Sequence, residues 1–150
     1  MTLIDITDEY LKQAKSKSGM LIIEEGYSIS MHADEVKAAT WLHDTIGGNI
    51  TLLAETDSVY FGKRPDYIWN GKYWELKKVY SVKAVDAALR KALQQIRDNP
   101  GGVIIDLCKS RESIQRLESA IRVRLQRSCK HSIDLIICRN DNIMKVVRYK

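Results

Sequence analysis

The chain has 150 residues, 45% of them hydrophobic and 29% charged, with a net charge of +5 and an isoelectric point near 9.1. That length suits one domain with a real core, and the composition is that of a soluble globular protein, not of a disordered or fibrous one. The positive balance favours an anionic partner, and no apolar run approaches the roughly 18 residues of a membrane helix.

Residues 1–31 are expected to form an N-terminal arm or extension, with a short helix within Asp8–Lys17 and a strand over Met20–Ile23. Met1–Tyr10 carries three acids and no base, unlike a signal peptide, so a cytoplasmic setting is expected. The main domain is placed at 32–150. A helix is predicted from Ala33 to Thr45, stopped by Gly47-Gly48. Its apolar stripe is Ala38, Ala39, Leu42 and Ile46, and Glu35 falls on that same stripe. Ile50–Ala54 reads as a strand. Glu55–Arg64 reads as a loop, with a possible extension at Val59–Phe61.

Asp66–Trp69 and Lys72–Val79 are strands around Asn70-Gly71, a strong signal for a two-residue hairpin. Folding there sets Trp69 against Lys72, Ile68 against Tyr73, Tyr67 against Trp74 and Asp66 against Glu75. Val82–Arg97 is the clearest helix, burying Val85, Leu89, Ala92 and Ile96. Asp86, Arg90 and Gln94 line an adjacent face at helical spacing. Asn99-Pro100-Gly101-Gly102 reads as a turn before a doubly buried strand, Val103–Leu107. Ser110–Gln126 is a further helix with Ile114, Leu117, Ile121 and Leu125 inward. Ser132–Cys138 and Ile143–Val147 close the chain as strands. Helices alternating with strands favour an α/β class, with a mixed central sheet flanked by helices.

Like charges directly opposite each other destabilise a sheet, so the Asp66–Glu75 pair needs compensation. A divalent cation, magnesium or manganese, is the obvious one, since magnesium takes one or two carboxylates plus water and substrate phosphate. Lys77 points to the same side as Glu75, where its charge would assist an attacking water and stabilise a phosphate. Glu35 would add a ligand or base, and Arg90 or Gln94 would contact phosphate or position water. Taken singly, these residues read as a turn cap, a solvated strand face and a helix-dipole partner. Their combination beside large apolar residues favours a site, because a buried acid pair is costly unless compensated.

Other chemistries are not supported. Cys108, Cys129 and Cys138 are odd in number and fit no zinc spacing, so free, mostly buried thiols are expected. His32, His43 and His131 are scattered and suggest no nucleophile–base pair. Lys109–Lys130 carries seven Lys or Arg against Glu112 and Glu118, and Lys63-Arg64 and Lys78 flank the pair. These suit either phosphate contacts or an ordinary solvated surface. Tyr67, Trp69, Tyr73 and Trp74 could stack on bases but read mainly as core.

Pro65-Asp66, eight residues, then Glu75-Leu76-Lys77 resembles the signature of the PD-(D/E)xK nuclease superfamily, and the element order resembles its αβββαβ core. Gln94 on the following helix fits a recurrent feature of that superfamily. A narrower resemblance runs through Glu35, Gly47-Gly48 with Ile50–Leu53, Asp66, Trp74–Lys77 and Asn99–Leu107. It is to the C-terminal tRNA-nuclease toxin domain of contact-dependent inhibition proteins and to related phage and mobile-element domains. The resemblance implies Glu35, Asp66, Glu75 and Lys77 as active-site positions, with Asp66, Glu75 and Glu35 holding a divalent metal. It further implies cleavage of nucleic acid, tRNA before DNA, and a cognate immunity protein. Such a domain is delivered into target cells when it is part of a larger toxin. A DNA endonuclease of the same fold and a non-catalytic binding module are the alternatives.

Overall fold

A computed structural model describes residues 1–55, 64–108 and 113–150. Its elements are β1 (Leu3–Asp5), α1 (Thr7–Gln13), β2 (Leu21–Ile23), α2 (Ala33–Thr45), β3 (Ile50–Leu52), β4 (Tyr67–Trp69), β5 (Lys72–Lys78), α3 (Val82–Ile96), β6 (Pro100–Asp106), α4 (Ile114–Ser128), β7 (Ile133–Arg139) and β8 (Asn142–Tyr149). The αβββαβ order is present as α2-β3-β4-β5-α3-β6. One mixed sheet holds all eight strands in the order β1-β8-β7-β6-β5-β4-β3-β2. Pairing is parallel for β5–β6, β6–β7 and β2–β3 and antiparallel elsewhere.

Residues 1–31 contribute to both edges of this sheet. β1 pairs with β8 at one edge, and β2 pairs with β3 at the other. Sequence periodicity reveals neither pairing, because three-residue strands are too short to show alternation.

The sheet separates two apolar layers. On one face Val85, Leu89, Ala92 and Ile96 of α3 pack with Leu117, Ile121 and Leu125 of α4 over Val103, Ile105, Leu135 and Ile137. On the other, Ala39 and Leu42 of α2 pack over Ile50, Leu52, Tyr67, Trp69, Trp74, Ile104 and Ile136. β6 and β7 therefore alternate between two cores, which is why they read as continuous apolar runs. Cys108, Cys129 and Cys138 are free thiols, the last of them buried.

The hairpin has the predicted register, Tyr67 opposite Trp74, Ile68 opposite Tyr73 and Trp69 opposite Lys72. Asn70 and Gly71 both take positive φ, 49° and 81°, the turn whose twist matches that of paired strands. α2 ends as expected at Gly47, whose amide caps the Leu42 carbonyl at 2.9 Å with φ of 82°.

Two boundaries differ from expectation. Pro100 and Gly101 belong to β6 instead of a preceding turn, and the register shifts there, with Tyr73 opposite Pro100 and Trp74 opposite Gly102. Gly101 is thus an extra residue bulged out of the ladder. α4 begins at Ile114, capped by the Ser113 hydroxyl accepting from the Arg116 amide at 3.3 Å. Val59–Phe61, Lys63 and 109–112 lie outside the described residues.

Candidate active site

The hairpin register extends one pair beyond the ladder, to Asp66 and Glu75. Both are buried, at 7% and 1% exposure. They are braced reciprocally: the Asp66 amide donates to Glu75 Oε1 at 2.8 Å, and the Leu76 amide donates to Asp66 Oδ2 at 2.8 Å. Amides of the two strands thus hold the acids where side-chain repulsion would part them. Lys77 is on the same side as Glu75, as alternation requires, with Nζ 3.3 Å from Glu75 Oε2. The Asp66 carbonyl also accepts from the Leu53 amide at 3.1 Å, which fixes the site to the end of β3.

Glu35 comes from the first turn of α2 and is half-buried. Asp66 has both Glu75 and Glu35 as charge and hydrogen-bond neighbours, so three acids from three elements form one cluster. Burial is the main reason that Asp66 is pushed up to about 7, with the neighbouring Glu75 charge second. Burial, then the charge of Asp66, pushes Glu35 up to about 6. Three carboxylates face one lysine, and the cluster holds protons that exposed acids would release.

Glu35 is held by residues that sequence reasoning passed over. Tyr27 Oη donates to Glu35 Oε2 at 2.8 Å, and Tyr67 Oη donates to the Glu35 carbonyl at 2.7 Å. His32 Nδ1 lies 3.5 Å from Glu35 Oε2, and its Nε2 lies 3.6 Å from Glu55 Oε1. The Tyr27 and His32 rings pack at 5.4 Å between centroids. The i, i+3 spacing of His32 and Glu35 at a helix start was a usable signal. Nothing local marks Tyr27.

Arg90 and Gln94 are not drawn into this cluster. Both are exposed, on the side of α3 turned away from Val85, Leu89, Ala92 and Ile96, and Asp86 beside them is paired with Arg124 of α4 at 2.7 Å. The flanking cations are also partly committed. Arg64 binds Glu24 at 2.7 Å and the Ala54 carbonyl at 2.9 Å, and Lys78 binds Asp34 at 3.0 Å. Arg116, Arg122 and Arg127 are exposed on α4. Tyr67, Trp69 and Trp74 are core residues.

The donors present are buried carboxylate oxygens in excess over cationic partners, a set that suits a hard divalent ion. Among the described residues no three His, Cys, Asp or Glu side chains form a closed metal cage. Asp66 and Glu75 would therefore supply one or two ligands and leave the rest to water and phosphate, the pattern magnesium prefers. No helix among the described residues is long and apolar enough to cross a membrane.

No protein-family model matches the chain, and no curated protein matches it. Among solved structures, it is similar to a chain of the CdiA-CT/CdiI toxin and immunity complex from Burkholderia pseudomallei, with a TM-score of 0.50 at 13% identity. The match covers 86% of this chain and 98% of that one. What the two share at that identity is the fold, an α/β sheet with flanking helices over nearly the whole of both chains.

Proposed function

We propose that the chain is a toxin-like nuclease domain of the PD-(D/E)xK type that hydrolyses phosphodiester bonds with a divalent cation, magnesium or manganese. The observation that carries this reading is the adjacency of Asp66, Glu75 and Lys77 on one hairpin, with Glu35 brought to them by α2. The similarity in fold to a chain of a toxin and immunity complex supports the toxin-like role. It also makes an immunity protein the natural protein partner to seek. Transfer RNA is the favoured substrate and DNA the close alternative.

The chemistry follows from the groups present. Hydrolysis forms a bond from water oxygen to phosphorus, breaks the bond to the leaving oxygen and moves one proton from the water. A divalent ion, when bound, supplies Lewis-acid stabilisation of the phosphate. Asp66 and Glu75 hold that ion. Lys77, fixed against Glu75, presents its ammonium to charge growing on the phosphate. Glu35, raised to about 6, is tuned to accept a proton near neutral pH, and Tyr27 and His32 keep its carboxylate aimed inward. The exposed arginines of α4 are available to the phosphate backbone.

The test is incubation with tRNA and with duplex DNA, each with magnesium, with manganese and with chelator. Metal-dependent cleavage that is lost in Asp66→Ala, Glu75→Ala and Lys77→Ala is expected. Unchanged cleavage by Asp66→Ala would sink the site. A folded protein that cuts neither substrate would favour a binding module.

A further inference from the structure

A cleft of about 500 Å³ opens at the opposite end of α2 from the acid cluster. Ten residues of helix separate Glu35 from Thr45, about 15 Å at the helical rise. The cleft is lined by Tyr10, Trp69 and Trp74, by Gly48 and Gly101, and by Lys72 at the rim. Its size is that of a small-molecule site, too small for a folded partner.

The three tryptophans of the chain differ in one respect. The indole N–H of Trp41 donates to the Asp141 carbonyl at 2.8 Å, and that of Trp69 to the Gly47 carbonyl at 3.0 Å. Trp74 is 5% exposed, yet its indole N–H has no partner among the described residues. A buried indole N–H usually finds an acceptor. The one at Trp74 lies directly over Gly101, where a Cβ would collide with Nε1. The bulged glycine therefore leaves room in front of a vacant donor. Gly48 does the same for its neighbour, since a Cβ there would fall 2.8 Å from Trp69 Nε1.

The charges in the cleft are already balanced. Arg148 binds Asp134 through Nε at 2.7 Å and Nη2 at 3.1 Å, and it reaches Glu9 at 2.9 Å. Tyr10 Oη donates to the same Asp134. The walls thus hold little net charge for a free ion, and the aromatic floor favours a flat ring. The vacant donor requires an acceptor in the plane of that ring. A nucleobase meets all three conditions.

We propose that this cleft is a nucleobase subsite: a base enters edge-first, accepts from the Trp74 indole N–H, packs on Tyr10 and Trp69, and leaves its phosphate toward Lys72. As a subsite for an unpaired base of the substrate it rests on the nuclease reading. As a base-binding cleft it rests on the cleft geometry alone.

The test reads binding without cleavage. Indole N–H resonances of ¹⁵N-labelled protein are followed, with chelator present, during titration with AMP, GMP, CMP and UMP. Trp74→Phe and Trp41→Phe assign the peaks. The Trp74 resonance is expected to move saturably with at least one nucleotide while Trp41 stays fixed. Lys72→Ala should weaken the nucleotide by up to about fivefold, the worth of one exposed charge pair, and leave the nucleoside unaffected. Ser132→Leu, which narrows the exposed mouth, should abolish the movement. A stationary Trp74 peak up to about 10 mM, beyond a millimolar dissociation constant, overturns the subsite. So does equal movement with ribose 5-phosphate, which carries no base. Cleavage of tRNA or DNA without indole movement removes the cleft alone. Indole movement in a protein that cuts nothing removes the nuclease reading and keeps the cleft.

Discussion

The β4–β5 hairpin has two unlike halves. Next to the turn, Trp69 and Trp74 pack edge to face at 4.8 Å between centroids and are buried in the α2 core. At the open end, Asp66 and Glu75 are just as buried, yet they repel each other and hold protons against water. The same two strands thus carry a half that stabilises the fold and a half that opposes it. Proteins retain such opposed groups where geometry serves a reaction, so the contrast separates structural from functional residues within a few positions of each other.

Breaking the acid half should show first in activity. Under the nuclease reading, Asp66→Ala and Glu75→Ala each lower cleavage at least about 100-fold, the scale of losing a main electrostatic element. Circular dichroism should confirm that both variants stay folded. Breaking the aromatic half acts on stability. Trp69→Ala should cost about 3–5 kcal/mol in denaturant unfolding, the range for emptying an aromatic core position.

Relaxing the acid half should do the reverse. Asp66→Asn keeps an acceptor for the Leu76 amide and removes the charge, so metal-free protein should gain roughly 1–3 kcal/mol at neutral pH. The sign depends on pH. Asp66 is raised from 3.8 to about 7 by burial and by Glu75. Below pH 3.8 it is protonated folded or unfolded and carries no penalty. Between about pH 4 and 7 the unfolded chain ionises first, so the folded state loses stability as pH rises. The advantage of Asp66→Asn should therefore grow across that window and vanish near pH 3.5, as read by thermal melts. The smallest effect is ligand linkage. Magnesium at ten times its dissociation constant should raise wild-type stability by about 1.4 kcal/mol and leave Asp66→Asn nearly unmoved.

Most of the hairpin was legible because Asn70-Gly71 fixes both turn and register, and the register alone sets Asp66 against Glu75. α3 and α4 were legible from their apolar spacing, down to Val85, Leu89, Ala92 and Ile96. What escaped depends on contacts across the fold. Tyr27 meets Glu35 only once the N-terminal segment lies along α2. Gly101 reads as a turn residue until β5 pairs with β6 and bulges it. Gln94 was assigned to the site side of α3 because helical spacing gives a face but not what that face looks toward.

The two ends of the described chain meet on one sheet edge, with Thr2 and Lys150 exchanging amide hydrogen bonds at 2.8 and 3.0 Å. Strand β1 has no partner other than β8, so the first strand to leave a ribosome must wait for the last. Closing that edge requires a contact spanning almost the whole chain, the kind that slows folding most. The same closeness makes the molecule a natural candidate for circular permutation: a short link from 150 to 1, with new ends cut elsewhere, would turn its longest-range contact into its most local one.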